Sequence, residues 1–278
     1  MTMATVSKTT RRKVAAIIPA HNEARDIVAT VRACRALPGV DLVIVVDDGS
    51  QDNTQDYARH AGAVVVRHSV SRGKASAVET GVKVAAMRDL PDGQPRHLLF
   101  LDGDLGESAI EAAALIEVVQ SGEADCAVAK LPRQTGAGGR GFVVNLARKA
   151  IFRATGWRAE APLSGQRCLT REAVNAIMPF ADRWGIEVGM TIDLLVAGFS
   201  IEEVPCDFSH RVTTNDVAGV LHRADQYKDV WRAVMVRRLH RHRVPRRFQV
   251  GATRTVSHGS PYRAWVAGRG PRHDEPSD

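Results

Sequence analysis

The feature that most constrains this chain is a repeated pairing of a short, continuous apolar run with a polar, turn-forming segment directly behind it. Val14–Pro19 runs into Ala20-His21-Asn22-Glu23, Leu42–Val46 into Asp47-Asp48-Gly49-Ser50, and Leu98–Leu101 into Asp102-Gly103-Asp104. A fourth run, Ala63–Val66, follows Gly62. Helical spacing fills the gaps, at Glu23–Leu37, Asn53–His60 and Lys74–Met87. Buried β-branched runs alternating with helices imply βαβ units and a mostly parallel sheet covered on both faces. Ligands of such sheets bind beyond the carboxyl ends of the strands, where the three polar segments stand.

The second half is less regular. The spacing predicts a helix over Ser108–Gln120, a strand over Asp125–Leu131 and a helix from Phe142 to Thr155. Between them, Gln134–Gly141 holds four glycines in eight residues, a loop able to close over a ligand. Pro162–Gln166 leads into a short strand at Arg167–Leu169, followed by a helix over Ile186–Ala197, a strand over Ile201–Val204 and a long helix over Val217–Arg241. The fold expected is α/β: a Rossmann-like mixed, mostly parallel sheet flanked by helices, with a helical C-terminal extension. One domain is expected over 14–242, between a disordered basic N-terminus (1–13) and a disordered Arg-rich tail (243–278).

Charge sharpens this division. Of the net +7, residues 237–278 carry +7 and residues 1–13 carry +4, so 14–236 carries −4. Nucleic-acid binding by the fold itself is therefore not expected. The tail reads either as a solvated segment or as a peripheral contact with anionic lipid at the cytoplasmic face of the membrane. The N-terminus has no apolar stretch of the kind a secretory signal needs, and no run reaches the roughly 20 apolar residues of a membrane span. Cys34, Cys126, Cys168 and Cys206 form no C-x-x-C pair, so reduced thiols and a cytoplasmic setting are expected.

Asp102 and Asp104 close one strand with Gly103 between them, and two carboxylates at one strand end suit Mg²⁺ or Mn²⁺ completed by phosphate oxygens. Taken alone, Asp-Gly is equally a good turn. Neither a G-x-G-x-x-G fingerprint nor a P-loop follows the first strand, which argues against a dinucleotide enzyme or an NTPase.

In combination, Ile18-Pro19-Ala20-His21-Asn22-Glu23, Val46-Asp47-Asp48-Gly49-Ser50, Arg72-Gly73-Lys74 and Leu101-Asp102-Gly103-Asp104 resemble the nucleotide-sugar half of a family 2-type glycosyltransferase with the A-type fold, over about 14–130. That resemblance implies a nucleotide-diphosphate sugar lying over the strand ends. Pro19, Ala20 and Glu23 would then flank the nucleoside, Asp48 would meet the base, and Lys74 the diphosphate. Asp102, Gly103 and Asp104 would take the ribose and the metal. Farther on, Pro162-Leu163-Ser164-Gly165, Gly185-Ile186-Glu187 and Ser209-His210-Arg211 are similar to the glucosyl-3-phosphoglycerate and mannosylglycerate synthase group. This implies a retaining hexosyltransferase, with UDP-glucose the first donor to consider. His210 would join Asp104 on the metal, and Glu187 would sit with Asp104 in the catalytic centre. Gly139, Arg140, Leu163, Ser164, Gly165 and Arg211 would contact substrate. The related enzymes also point to a homodimer. Phe208 and Val212 replace polar residues of that group, which weighs against 3-phosphoglycerate as the acceptor and leaves a small molecule or a lipid phosphate open. Three alternatives stand beside this reading: a polyprenyl-phosphate glycosyltransferase at the membrane face, a sugar nucleotidyltransferase, and a non-catalytic nucleotide-sugar binding protein.

Overall fold

A computed structural model describes residues 11–91, 93–132, 140–182, 185–209, 217–240, 242–245, 249 and 261–263, without the side chains of 140–141 and 217–226. Among them, seven strands form one sheet in the order β3-β2-β1-β4-β6-β5-β7. The strands are β1 Val14–Ala20, β2 Val40–Asp47, β3 Val64–Arg67, β4 His97–Phe100, β5 Cys126–Lys130, β6 Arg167–Leu169 and β7 Ile201–Pro205. The helices are α1 Ile27–Ala36, α2 Thr54–His60, α3 Lys74–Met87, α4 Ala113–Gln120, α5 Arg140–Thr155, α6 Arg171–Ile177, α7 Ile186–Val196 and α8 Val217–Leu239. Every pairing is parallel except those of β6, which runs antiparallel to both β4 and β5.

Successive strand residues face opposite sides of the sheet, so the unbroken apolar runs feed two cores. Ala15, Ile17, Ile44, Val46, Leu98 and Phe100 pack with the buried faces of α3, α6 and α7. Val14, Ala16, Ile18, Val43, Val45, Leu99 and Leu101 pack with α1 and α4 on the other side. Close approach of α3 to β1 depends on Gly81, where a Cβ would collide with Ile17. That contact sets the height of α3, whose first residue is Lys74. The four cysteines are free and buried, and burial pushes the Cys34 thiol up to about 12.

The structure departs from expectation at four places. Helix α1 starts at Ile27, not Glu23, because 23–26 forms a turn tied to the next loop by Glu23 N–H donating to Thr54 Oγ1 at 2.8 Å. Residues Gly106–Ala112 form a 3-10 helix ahead of α4. At the N-terminus, Arg11, Arg12 and Lys13 are not loose but pair with Glu117, Glu172 and Asp41. The expected disordered tail also returns to the body at two points. Val244 is buried and donates its N–H to Ala154 O at 2.9 Å. Tyr262 forms an antiparallel bridge to Ile201, stacks on Trp157 and donates its hydroxyl to Thr155 O. Tyr262 thereby covers part of the β7 edge.

Candidate active site

The polar segments behind β1, β2 and β4 meet along one edge of the sheet. The turn after β1 passes through Asn22, a non-glycine residue at φ 58°. That conformation is uncommon and needs local support. It comes from the β2 loop: Asn22 N–H donates to Ser50 Oγ at 2.9 Å, and Asn22 Oδ1 accepts from Gln51 N–H at 2.8 Å. Behind β4, a Cβ at Gly103 would lie 3.2 Å from Glu23 Cγ and 3.4 Å from Ala20 Cβ. Gly103 thus lets the ends of β1 and β4 touch, with Ala20 and Glu23 beside it.

Asp48 is engaged within the protein by the loop that precedes α3. Its carboxylate is buried and accepts from Ser71 Oγ, Arg72 N–H and Gly73 N–H at 2.8 Å and faces His68 Nδ1 at 2.7 Å. Burial alone would raise its pKa, but these donors outweigh burial and hold it below the usual carboxylate range. The acceptor positions of Asp48 are thus taken up in fastening residues 71–73, the loop that launches α3. Gly49, at φ 77°, belongs to the same joint: a Cβ there would sit 2.8 Å from Ser71 N.

Lys74 opens α3 at the centre of the site. Its Nζ lies 2.7 Å from Asp102 Oδ1 and 3.1 Å from Glu187 Oε1. Burial works against its charge, yet the two carboxylates prevail and hold its pKa above the ordinary lysine value. One cation here stands between two acids. It fixes Asp102 and Glu187 relative to one another.

The loop behind α5 completes the cluster. Gln166, which sequence reasoning passed over, donates from Nε2 to Asp102 Oδ2 at 2.6 Å. A Cβ on Gly165 would fall 2.5 Å from Lys74 Nζ and 3.5 Å from both Asp102 Oδ2 and Glu187 Oε1. Gly165 therefore supplies the space in which the trio meets. Leu163 packs against the apolar core, and Ser164 is buried with its carbonyl accepting from Arg167 Nε at 2.8 Å.

Arg167, also missed, is 1% exposed. It donates to Thr191 Oγ1 at 3.0 Å, and Thr191 in turn donates to the carbonyl of Glu187 at 2.9 Å. Its Nη2 has no hydrogen-bond partner among the described residues. A guanidinium buried this way steadies the negative charge of Glu187, 6% exposed in the first turn of α7. Pro19, Lys74, Asp102, Gly165, Arg167 and Glu187 surround a cavity of about 10 Å³, room for about one water.

Gly139, His210 and Arg211 lie outside the described residues, as does the side chain of Arg140. Among the described residues, no group of three or more His, Cys, Asp and Glu side chains converges in metal-binding geometry. No described helix is long and apolar enough to cross a membrane.

A mixed, mostly parallel sheet flanked by helices, with a Lys–Asp–Glu cluster at its carboxyl edge, is a Rossmann-like arrangement. The profile of glycosyl transferase family 2 matches residues 15–175, and the chain belongs to that family. Glycosyltransferase AglJ of Haloferax volcanii is 30% identical over 211 residues, 73% of this chain and 65% of that protein. The glucosyl-3-phosphoglycerate synthase of Mycolicibacterium paratuberculosis is 28% identical over 200 residues, 66% of this chain and 60% of that protein. The chain spans 38% to 65% of the length of the first curated relatives it matches. Among solved structures, the Mycobacterium tuberculosis glucosyl-3-phosphoglycerate synthase in complex with Mn²⁺, UDP-glucose and phosphoglyceric acid superimposes with a TM-score of 0.62 at 25% identity, covering 81% of this chain and 79% of that one. The seven-stranded mixed sheet is thus the A-type glycosyltransferase fold.

Proposed function

We propose that the chain is a metal-dependent glycosyltransferase. It moves a hexose, with glucose the first candidate, from a nucleotide-diphosphate sugar, with UDP the first nucleotide to test, to an acceptor hydroxyl or phosphate with retention of configuration. The observation that carries this reading is the Lys74 bridge between Asp102 and Glu187 at the carboxyl edge of a family 2 sheet.

The donor set suits a hard divalent cation. Asp102 is engaged by Lys74 and Gln166, while Asp104 presents a second carboxylate, half-buried, at the same strand end. Asp104, with His210 beyond the described residues, would hold Mg²⁺ or Mn²⁺. When bound, that ion would neutralise charge developing on the departing diphosphate.

The chain's own residues account for the remaining steps. Pro19, Ala20 and Glu23 present the wall against which a nucleoside lies, and the Asp48-fastened loop holds α3 at a fixed height. Lys74 keeps Glu187 close to the strand ends, and burial with Arg167 behind it keeps that carboxylate aligned. A negative charge held there stabilises the positive charge that grows on the transferred sugar as its bond to the diphosphate stretches. Pre-set ion pairs need little rearrangement at that moment, which is where such stabilisation acts on rate.

The test is nucleotide release from a panel of UDP- and GDP-sugars with Mg²⁺ or Mn²⁺, with and without cell extract as acceptor source. Turnover with one donor that disappears in Asp104→Ala and on chelation is the expected result. Turnover unchanged by both treatments, or none with any donor, would overturn the assignment.

A further inference from the structure

We propose that the outer face of α8 is a docking surface for an anionic phospholipid bilayer. This inference stands apart from the glycosyl-transfer reading and rests on α8 alone. The inner face of the helix is settled: Val230 and Ala233 are buried, and Arg237 pairs with Asp193. The opposite face carries large apolar side chains that remain exposed. Tyr227 is 44% exposed, Trp231 50%, Val236 43% and Leu239 80%. Exposed Lys228, Arg232 and Arg238 are interleaved with them, and Met235 is half-buried on the same side.

At about 100° per residue, Tyr227, Lys228, Trp231, Arg232, Met235, Val236, Arg238 and Leu239 share roughly one half of the helix circumference. Among the described side chains of the arc there is no acid.

Aromatic and aliphatic groups mixed with cations on one face are the pattern of a helix lying in a membrane interface. Trp and Tyr seat at head-group depth, and Lys and Arg stems run through apolar surface while their charges reach lipid phosphate. Each such cation near an anionic surface raises binding by about fivefold. A second copy of the chain fits this face poorly, because a two-fold pairing would set three cations against three with no acid among the described side chains of the arc to meet them. The sequence immediately beyond α8 is also strongly basic, carrying eight arginines from Arg241 to Arg272.

Such seating has a structural consequence for the site. Helix α8 lies directly against the start of α7, where a Cβ on Gly185 would come within 2.6 Å of Ala233. A bilayer under α8 is thus one helix away from Glu187.

The experiment uses the full chain and co-sedimentation with phosphatidylcholine vesicles, with and without about 30 mol% phosphatidylglycerol. Two double variants leave the basic tail intact: Trp231→Ser with Leu239→Ser, and Arg232→Glu with Arg238→Glu. Binding to the anionic vesicles only, lowered about tenfold or more by either pair at an unchanged thermal midpoint, is the result expected. Quenching of wild-type tryptophan fluorescence by brominated lipid, reduced in Trp231→Phe, reports the same contact without relying on either pair. Absence of vesicle binding, or partition that neither pair alters, would overturn the proposal. So would a dimer in ultracentrifugation that the same variants dissociate while vesicle binding stays unchanged, since the face would then be covered by a second copy.

Discussion

Gly165→Ala tests how the site is assembled. A Cβ at that position would stand 2.5 Å from Lys74 Nζ, and ordinary contact requires close to one ångström more. Lys74 cannot retreat without lengthening its links of 2.7 Å to Asp102 and 3.1 Å to Glu187. At an effective dielectric constant near 20, suited to partly buried pairs, stretching both by about 1 Å forfeits about 3 kcal/mol. The cluster must be restored for reaction, so that cost is added to the barrier and kcat/KM falls by about 100-fold. The assay is nucleotide release at several donor concentrations, alongside thermal unfolding. A double-mutant cycle isolates the cause: once Lys74→Met has removed the ammonium, adding Gly165→Ala costs little more. Activity of Gly165→Ala within about threefold of wild type would refute the reasoning, as would full additivity of the two changes.

Other consequences follow from the same geometry. Glu187→Gln keeps the shape but not the charge; kcat is expected to fall by about 100-fold with donor KM within about threefold, read from steady-state nucleotide release. Asp48→Asn places amide hydrogens against the N–H groups of Arg72 and Gly73 and is expected to cost about 2–4 kcal/mol in urea unfolding. His97 is held neutral by burial, with Arg12 adding to the effect, and its pKa drops to about 4 from the ordinary 6.5. The unfolded chain therefore takes up a proton below pH 6.5 that the folded chain refuses until about 4. Stability is expected to fall as pH drops through that window, with a slope of about one proton that His97→Gln removes, measured by denaturant unfolding at stepped pH.

The first half of the fold was legible because its signals are local. Apolar runs that end in Asn22-Glu23, Asp48-Gly49 and Asp102-Gly103 carry both the strand and its termination in adjacent residues. The ends of the chain were harder to read, since Tyr262 finds Ile201 and Trp157 far back in the sequence, and no periodicity announces such a contact. Strand β6 has three residues and takes its antiparallel place between β4 and β5 from its neighbours, not from its own composition. In the site, the residue types were readable but their pairings were not. Lys74 looked like a free cation because its two acids lie in separate segments, and Asp48 looked available because its donors arrive from a loop more than twenty residues on. Gln166 and Arg167 stand beside the Pro162–Gly165 segment, and the only signal that could have found them was a long polar side chain at the mouth of a buried strand.

The measurement that bears most directly on the strand-end cluster as a sugar-nucleotide site is calorimetric titration of the full chain with UDP, with and without Mn²⁺. Metal-dependent binding that is lost in Asp104→Ala and weakened in Lys74→Met is the expected outcome. Failure to bind UDP, GDP or any other nucleoside diphosphate, or binding indifferent to chelation and to both substitutions, would contradict it.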